Sequence, residues 1–226
     1  MSIDETTAAG QFGIGNFPGV IYKVLEHAAL DSANYAIEKM NNASMFLKRE
    51  DLRKYCCNLI KNKNNIIVAE FGVWQGESIN FFANELPNAS LYGFDSFLGL
   101  EENWFNARKG AFNLNGIQPE VNKNVIIYNG LYENTVPNFI KDVKIEKGID
   151  LIHMDSDLYD PTSYVLNAIS NLIKPGSIII FDEYFGYPNW RNHEYKAFQE
   201  FALSNSLRYN YIGYTENAVA LEIIEG

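Results

Sequence analysis

The sequence predicts an α/β fold: a seven-stranded, mostly parallel sheet with helices on both faces, an antiparallel hairpin at its C-terminal end and a helical extension before it. Three observations carry this. The stretch IIVAEFGVWQGESINFFA, Ile66 to Ala83, is an apolar run that reaches an acid, a turn bracketed by Gly72 and Gly76, and then a new apolar segment; it reads as buried strand, tight loop and helix start. Four more short apolar runs follow, most of them separated by helical patterns, as the crossovers of a parallel sheet require. The ending YNYIGYTENAVALEII leaves no room for a helix between its two runs and reads as a hairpin.

In chain order, residues 1 to about 17 are polar and read as an arm. Apolar residues recur at helical spacing from Ile21 to about Met40, through Val24, Leu25, Ala28, Leu30, Tyr35 and Ile37, and again from about Arg49 to Lys61. With no repeat and no Pro-rich linker, residues 1–62 read as a preface packed on the main unit, a lid or a dimer surface, and residues 63–226 as the main domain. Leu91 to Phe97 gives the second strand, ending on Asp95. A long aperiodic segment, Gly99 to Asn124, carries Trp104 and Phe105 and has the length of a functional loop. Val125 to Gly130 is the third strand, with a short helix near Thr135 to Lys141, and Ile149 to Asp155 is the fourth. Asp160 is a candidate cap and Pro161 a candidate first residue for a helix running to Ile173. Pro175-Gly176 then breaks the chain before the fifth strand, which runs into Asp182 and Glu183, and helix returns near His193 to Ser204.

The bulk properties narrow the function. At 226 residues, with 28 acids against 18 bases and a formal charge of −10, the chain suits one globular domain with no electrostatic reason to bind nucleic acid or anionic membrane. Its two cysteines, Cys56 and Cys57, are adjacent, so they neither pair readily nor make a zinc site, which fits a reducing compartment. MSIDETTAAG lacks the pattern of a signal peptide, and no apolar run approaches the roughly 18 residues of a membrane span. The expectation is a soluble, cytoplasmic protein.

Acids close four strands: Glu70, Asp95, Asp155 and Asp182–Glu183. In an open α/β sheet, ligands bind at the carboxyl ends of the strands, where like charges so gathered need a cation or a hydroxyl-rich ligand. A dinucleotide site would show G-x-G-x-x-G, whereas here Glu70 replaces the first glycine in E-F-G-V-W-Q-G. An acid there opposes a pyrophosphate but suits a ligand bearing an ammonium group, while Asp95 at the next strand end would accept from ribose hydroxyls.

E-F-G-V-W-Q-G, G-F-D-S-F-x-G-L, M-D-S-D-L-Y-D-P-T and F-D-E-Y, in this order from Ile66 to Phe201, resemble class I S-adenosylmethionine-dependent methyltransferases. The resemblance is greatest to the macrocin O-methyltransferase (TylF/MycF-like) group, which methylates sugar hydroxyls of macrolides and related natural products. It implies a Rossmann-like fold and S-adenosyl-L-methionine as cofactor. Glu70, Gly72, Gly76 and Ser78 would line its methionine and ribose part, Asp95 would hold the ribose, Ser96 and Phe97 would lie beside the adenosine, and Gly130 and Leu131 near the adenine. It further implies a magnesium ion on Asp155, Asp182 and Glu183, with Asp155 on both cofactor and metal and as base, and His153 as a rival base. Two departures stand out: Glu183 where the group has an aspartate, and Ser156 where a glycine is common. Tyr184, Tyr187, Trp190, His193 and Trp104 are candidates for an acceptor wall, since sugar faces stack on aromatic rings.

The function expected is therefore Mg-assisted O-methylation of a sugar-bearing small molecule, such as a natural-product glycoside or a surface-polysaccharide precursor. The alternatives are an NAD-dependent sugar-modifying enzyme and a degenerate nucleoside-binding protein without turnover. The acceptor and a homo-oligomeric state are left open by the sequence.

Overall fold

The structure is a computed structural model describing residues 19–105, 107–143 and 148–226, so the expected N-terminal arm lies outside the described residues. Two helices come first, α1 (Val20–Lys39) and α2 (Arg49–Ile60), flanking a two-residue strand, β1 (Ser44–Met45). The units β2 (Ile67–Phe71)–α3 (Glu77–Glu85), β3 (Ser90–Asp95), β4 (Val125–Asn129)–α4 (Tyr132–Asp142), β5 (Leu151–Met154)–α5 (Tyr159–Ala168) and β6 (Ile178–Phe181)–α6 (Glu194–Ser204) follow, and β7 (Arg208–Tyr214) and β8 (Val219–Glu225) close the chain.

The sheet has the order β1-β7-β8-β6-β5-β2-β3-β4. β8 runs antiparallel to both its neighbours, and every other pair is parallel. The expected parallel sheet and hairpin are thus present, with one strand more than the sequence predicts. β1 is the addition, Ser44 and Met45 pairing with Gly213 and Tyr214; two residues are too few to give a period. α4 starts at Tyr132, earlier than expected, and keeps Pro137 inside it. Asp160 is not the cap of α5: extended Leu158 takes that position without a side-chain bond, and Asp160 and Pro161 lie in the first turn. An acid there still complements the helix dipole. The α-helix stops at Ala168 and a 3-10 turn, Ser170–Leu172, finishes the segment.

On α1, only Ala28, Ser32, Tyr35 and Ala36 are buried in the expected stripe's place, and Val24, Leu25, Leu30 and Ile37 stay exposed. The helix is held by polar contacts too: the Tyr35 and Tyr211 hydroxyls share a hydrogen bond at 2.6 Å, and Gly186 N–H donates to Ser32 Oγ at 2.9 Å. No helix among the described residues is long and apolar enough to cross a membrane.

Alternation along the strands separates two cores. Val68, Leu91, Leu151, Ile178 and Ile180 pack with Leu52 and Cys56 of α2 and Ile79 and Phe82 of α3. Ala69, Phe71, Phe94, Ile152, Met154 and Phe181 pack on the opposite face with Val136, Phe139, Val165 and Phe198. By the same alternation Glu70 and His153, paired in register across β2 and β5, belong to the face under α2 and α3. Phe71 pairs with Phe94 and Met154, and Met154 with Phe181. The next row along the sheet is therefore Gly72, Asp95, Asp155 and Asp182. Four apolar strands in parallel register thus set the expected acids on one face and along one edge. β2 and β5 are neighbours from which the chain winds in opposite directions, so this edge is the topological switch point where ligands of such folds bind.

Gly93 lies in this sheet where a Cβ would meet Ile79 Cδ1 at 2.7 Å and Ile127 Cδ1 and Val73 Cγ2 at 2.8 Å. Gly93→Ala is expected to destabilise the protein by about 1–3 kcal/mol through overpacking. Urea denaturation measures this, and an unchanged midpoint would contradict the close packing of α3 on β3.

Candidate active site

A cavity of about 380 Å³ opens at the switch point, lined by Gly72, Asp95, Gly130, Asp155, Asp182 and Trp104 among others. A second one, of about 520 Å³, adjoins it, sharing Arg49, Trp74, Asp155 and Asp182 and adding Arg53 and Ser78. Asp155, Asp182 and Arg49 therefore stand between two compartments.

The first compartment is built by backbone. Gly72 has φ +98°, and a Cβ on it would lie 1.9 Å from the carbonyl oxygen of Asp155, so only glycine lets β2 and β5 end this close together. Gly76, with φ +80°, starts α3. Asp95 organises the loop between them: its Oδ2 accepts from the N–H groups of Val73 at 2.9 Å and Trp74 at 2.7 Å, and its Oδ1 from Phe97 N–H at 2.7 Å. Asp95 is thus already a loop anchor, with only its remaining lone pairs open to a ligand. Asp95→Ala removes three charge-assisted bonds and is expected to weaken nucleoside binding by about 10–100-fold, at roughly 1.5–3 kcal/mol for a bond to a charged group; calorimetry with S-adenosylhomocysteine measures it.

Beneath this edge, Glu70 is fully buried and hydrogen-bonded through Oε1 to the Ser78 hydroxyl, while its Oε2 has no partner among the described residues. A buried carboxylate oxygen without a donor calls for a ligand that brings one, and an ammonium group meets that need. His153 Nδ1 faces Glu70 Oε1 at 3.2 Å and Nε2 faces Asp182 Oδ1 at 3.3 Å. Burial works against its charge, but the hydrogen bonds to Asp182 and Glu70 prevail and raise its pKa to about 9. The imidazolium is a buried link between two carboxylates.

At the other end, Asp182 is filled by cations. Arg49 Nη1 reaches Oδ2 at 2.7 Å, Arg53 Nη2 reaches Oδ1 at 2.9 Å, and Arg49 Nη2 reaches Glu183 Oε1 at 2.5 Å. Burial would raise the Asp182 pKa, but His153, Arg49 and Arg53 together hold it well below the usual carboxylate range. Burial pushes Glu183 up to about 7 against the pull of Arg49. Burial and then the charges of Glu183 and Asp182 push Asp157 up to about 8. Asp155 accepts no hydrogen bond among the described residues, and burial, followed by the charge of Asp182, lifts it well above the ordinary range. Glu194 fixes the two loops, accepting from Ser156 N–H at 3.3 Å and Glu183 N–H at 3.1 Å. Ser156, with its hydroxyl 2.7 Å from that of Thr162, thus takes part in the loop's bonding where a glycine was expected.

The expected residues divide accordingly. Gly72, Asp95, Ser96, Gly130, Leu131 and Asp155 line the first cavity, and Ser78 the second. Phe97, buried in the core under α3, lines neither, and the same holds for Gly76 and for Glu70, which is fully buried beneath the edge. His153 is not placed to act as a base: it is fully buried and both ring nitrogens face carboxylates. Of the expected acceptor wall, only Trp104 lines the cavity. Tyr184 and Trp190 are fully buried in an aromatic core with Tyr35 and Tyr195, since hydroxyl and indole there satisfy packing rather than a ligand. Tyr187 is buried behind Trp104, with ring centres 5.5 Å apart, and half-buried His193 lies beyond it, 6.0 Å from the Tyr187 ring. Asp155, Asp182 and Glu183 do not form an open set of metal ligands, because Arg49 occupies the last two. Within the described residues the one grouping with metal-ligand spacing is Glu70, His153 and Asp155, and its histidine has both nitrogens committed. Arg49, Arg53, Trp74, Asp157 and Glu194 are site residues that sequence reasoning leaves out.

The family profile of the methyltransferase domain matches residues 69–184. No curated protein matches the chain by sequence. Among solved structures, the calicheamicin methyltransferase CalS11 superposes with a TM-score of 0.62 at 21% identity, over 88% of this chain and 90% of its own. The O-methyltransferase NovP gives 0.61 at 16% identity over 78% and 80% of the two chains. An O-methyltransferase from Bacillus cereus in complex with S-adenosylhomocysteine gives 0.51 at 15% identity over 97% of each. The glycine turn and the edge of acids line the two cavities, and Glu70 lies buried behind them. The chain belongs to the methyltransferase domain family and is a class I S-adenosylmethionine-dependent methyltransferase.

Proposed function

We infer that the chain is an O-methyltransferase whose acceptor is a hydroxyl of a sugar or sugar-like small molecule, in the manner of the macrocin O-methyltransferase group. The observation that carries this is Asp155, a half-buried carboxyl without a hydrogen-bond partner among the described residues, standing where the two cavities meet. A hydroxyl must lose its proton to become methylated, and a carboxyl whose affinity for a proton is raised by burial, within reach of the reacting atoms, serves that step. CalS11 is described as a TDP-rhamnose 3'-O-methyltransferase, which supports a sugar acceptor here.

Glu70, with Gly72 and Ser78, would hold the amino-acid end of the cofactor, and Asp95, Ser96, Gly130 and Leu131 the nucleoside. When bound, S-adenosylmethionine supplies an electrophilic methyl group on a sulfonium. Asp155 would take the hydroxyl proton while the acceptor oxygen receives the methyl group, whose bond to sulfur breaks with the electron pair staying on the thioether of S-adenosylhomocysteine. Trp104, which lines the first cavity together with the nucleoside residues, would form the apolar side of its acceptor end, and holding both reactants in line is worth about 7–11 kcal/mol of the barrier. The described part of the extension, residues 19–62, would act with the domain as its closing piece, a reading favoured by Arg49 and Arg53, which α2 brings into the site.

Incubation with labelled S-adenosylmethionine and a panel of nucleotide sugars, glycosides, catechols and amines tests the reading. A mass increase of one methylene on a sugar supports it. Transfer only to a catechol or an amine would overturn it.

A further inference from the structure

We propose that Arg49 and Arg53 stand in place of a divalent cation at the acceptor end of this site, so that the chain does its chemistry without a bound metal. Its chemical part rests on the hydroxyl-methylation reading; its metal-binding part does not.

Three independent features point this way. The first is saturation. Asp182 meets three cationic donors, Arg49 at 2.7 Å, Arg53 at 2.9 Å and His153 at 3.3 Å, and Glu183 meets Arg49 at 2.5 Å. A magnesium ion needs oxygen ligands at about 2.0–2.1 Å in near-octahedral array. To bind here it would have to displace a guanidinium and then remain beside it.

The second is construction. Arg49 and Arg53 are one helical turn apart on α2, so both side chains leave the same side of the helix. α2 is fixed to the sheet by Leu52, Cys56, Cys57 and Ile60, all buried. The Arg53 side chain is only 12% exposed. Arg53 is thus delivered to the acids as a buried partner, and Arg49, 37% exposed, reaches the same carboxylates from the rim.

The third is the ligand set. Arg49 forks between two carboxylates, a geometry that planar guanidinium makes and a point charge does not. Glu183 carries its carboxylate one methylene further than an aspartate would, out to the second arm of this fork. Arg49 also lines both cavities alongside Asp155. Its fixed charge thus faces the place where an acceptor hydroxyl develops negative charge as its proton passes to Asp155. Donors held in position for developing charge are the usual protein means of stabilising it. One side chain from the N-terminal helix would do electrostatically what the metal does in the group the sequence resembles.

The test uses Mn2+ as the metal probe, read by electron paramagnetic resonance on the full chain with S-adenosylhomocysteine present. The wild-type protein is expected to leave the free-Mn2+ signal unchanged at equimolar concentrations. Arg49→Ala, which frees one oxygen each of Asp182 and Glu183, is expected to bind Mn2+ at least about tenfold more tightly than wild type. With a sugar acceptor in hand, wild-type turnover in excess EDTA should stay within about twofold of that in Mg2+, and Arg49→Ala should lose about 10²-fold or more in EDTA. Stoichiometric Mn2+ binding by the wild type, or loss of its turnover in EDTA with restoration by Mg2+, would overturn the proposal. The wild-type arms need no variant, so a misfolded Arg49→Ala leaves them decisive. Failure of the sugar-acceptor reading would leave the Mn2+ result standing, which separates the two.

Discussion

Replacing Asp155 by asparagine lowers kcat by about 10²–10⁴-fold while S-adenosylhomocysteine affinity stays within about threefold of wild type. The split follows from position. Asp155 lies where the two cavities meet and its side chain makes no hydrogen bond among the described residues, so the isosteric amide keeps the shape and loses the base. Its carboxyl is raised well above the ordinary range by burial and by the charge of Asp182. A base must be deprotonated to act, so kcat/KM of the wild type should rise with pH and level off once Asp155 has lost its proton. Asp157, lifted to about 8, and Glu183, lifted to about 7, gain charge as pH rises and oppose the ionisation of Asp155, which broadens the climb. In Asp155→Asn the climb through Asp155 is gone. A variant that loses affinity for S-adenosylhomocysteine rather than turnover would make Asp155 a cofactor residue and leave the base unassigned.

Glu70→Ala removes the oxygen proposed to meet the cofactor's ammonium group and one end of the buried His153 link. Breaking a buried pair by deleting one partner costs about 3–5 kcal/mol, because the remaining charge is left uncompensated. His153 would keep Asp182 at 3.3 Å but face an empty space at Nδ1, and the Ser78 hydroxyl would lose its acceptor. The expected outcome is a fall in stability of that order and a loss of cofactor affinity of about 30-fold or more, given 2–5 kcal/mol for truncating a buried hydrogen-bonded charge. Thermal melts with and without S-adenosylhomocysteine separate the two effects. A variant that melts lower yet gains the same ligand-induced shift as wild type would confine Glu70 to a structural role.

The sheet and the acidic edge were legible because they follow from strictly local patterns. An apolar run ending on an acid shows where a strand stops, and parallel register then places successive stops in one row: Gly72, Asp95, Asp155 and Asp182. His153 could be seen inside a strand, but its two carboxylate neighbours could not, since Glu70 is 83 residues away and Asp182 is 29. Arg49 and Arg53 escaped for the same reason, lying 134 and 129 residues from their partners on a helix whose surface arginines read like any solvated pair. Aromatic residues misled in the opposite direction. Tyr184 and Trp190 have the composition of a sugar-stacking wall, but the same rings fill a core wherever α1 and β7 supply Tyr35 and Tyr211 to pack and bond with them. Trp104, from the long loop, is the one that reached the cavity, and nothing in its sequence context distinguished it from Trp190.

The most direct measurement is a calorimetric titration of the chain with S-adenosylhomocysteine, run beside NADH and repeated on Glu70→Ala. One site with micromolar affinity for S-adenosylhomocysteine, no heat with NADH and at least about 30-fold weaker binding by the variant is the expected result. Absence of S-adenosylhomocysteine binding by the folded wild-type protein, or equal affinity in Glu70→Ala, would contradict the assignment of the Gly72 turn and Glu70 as the cofactor site.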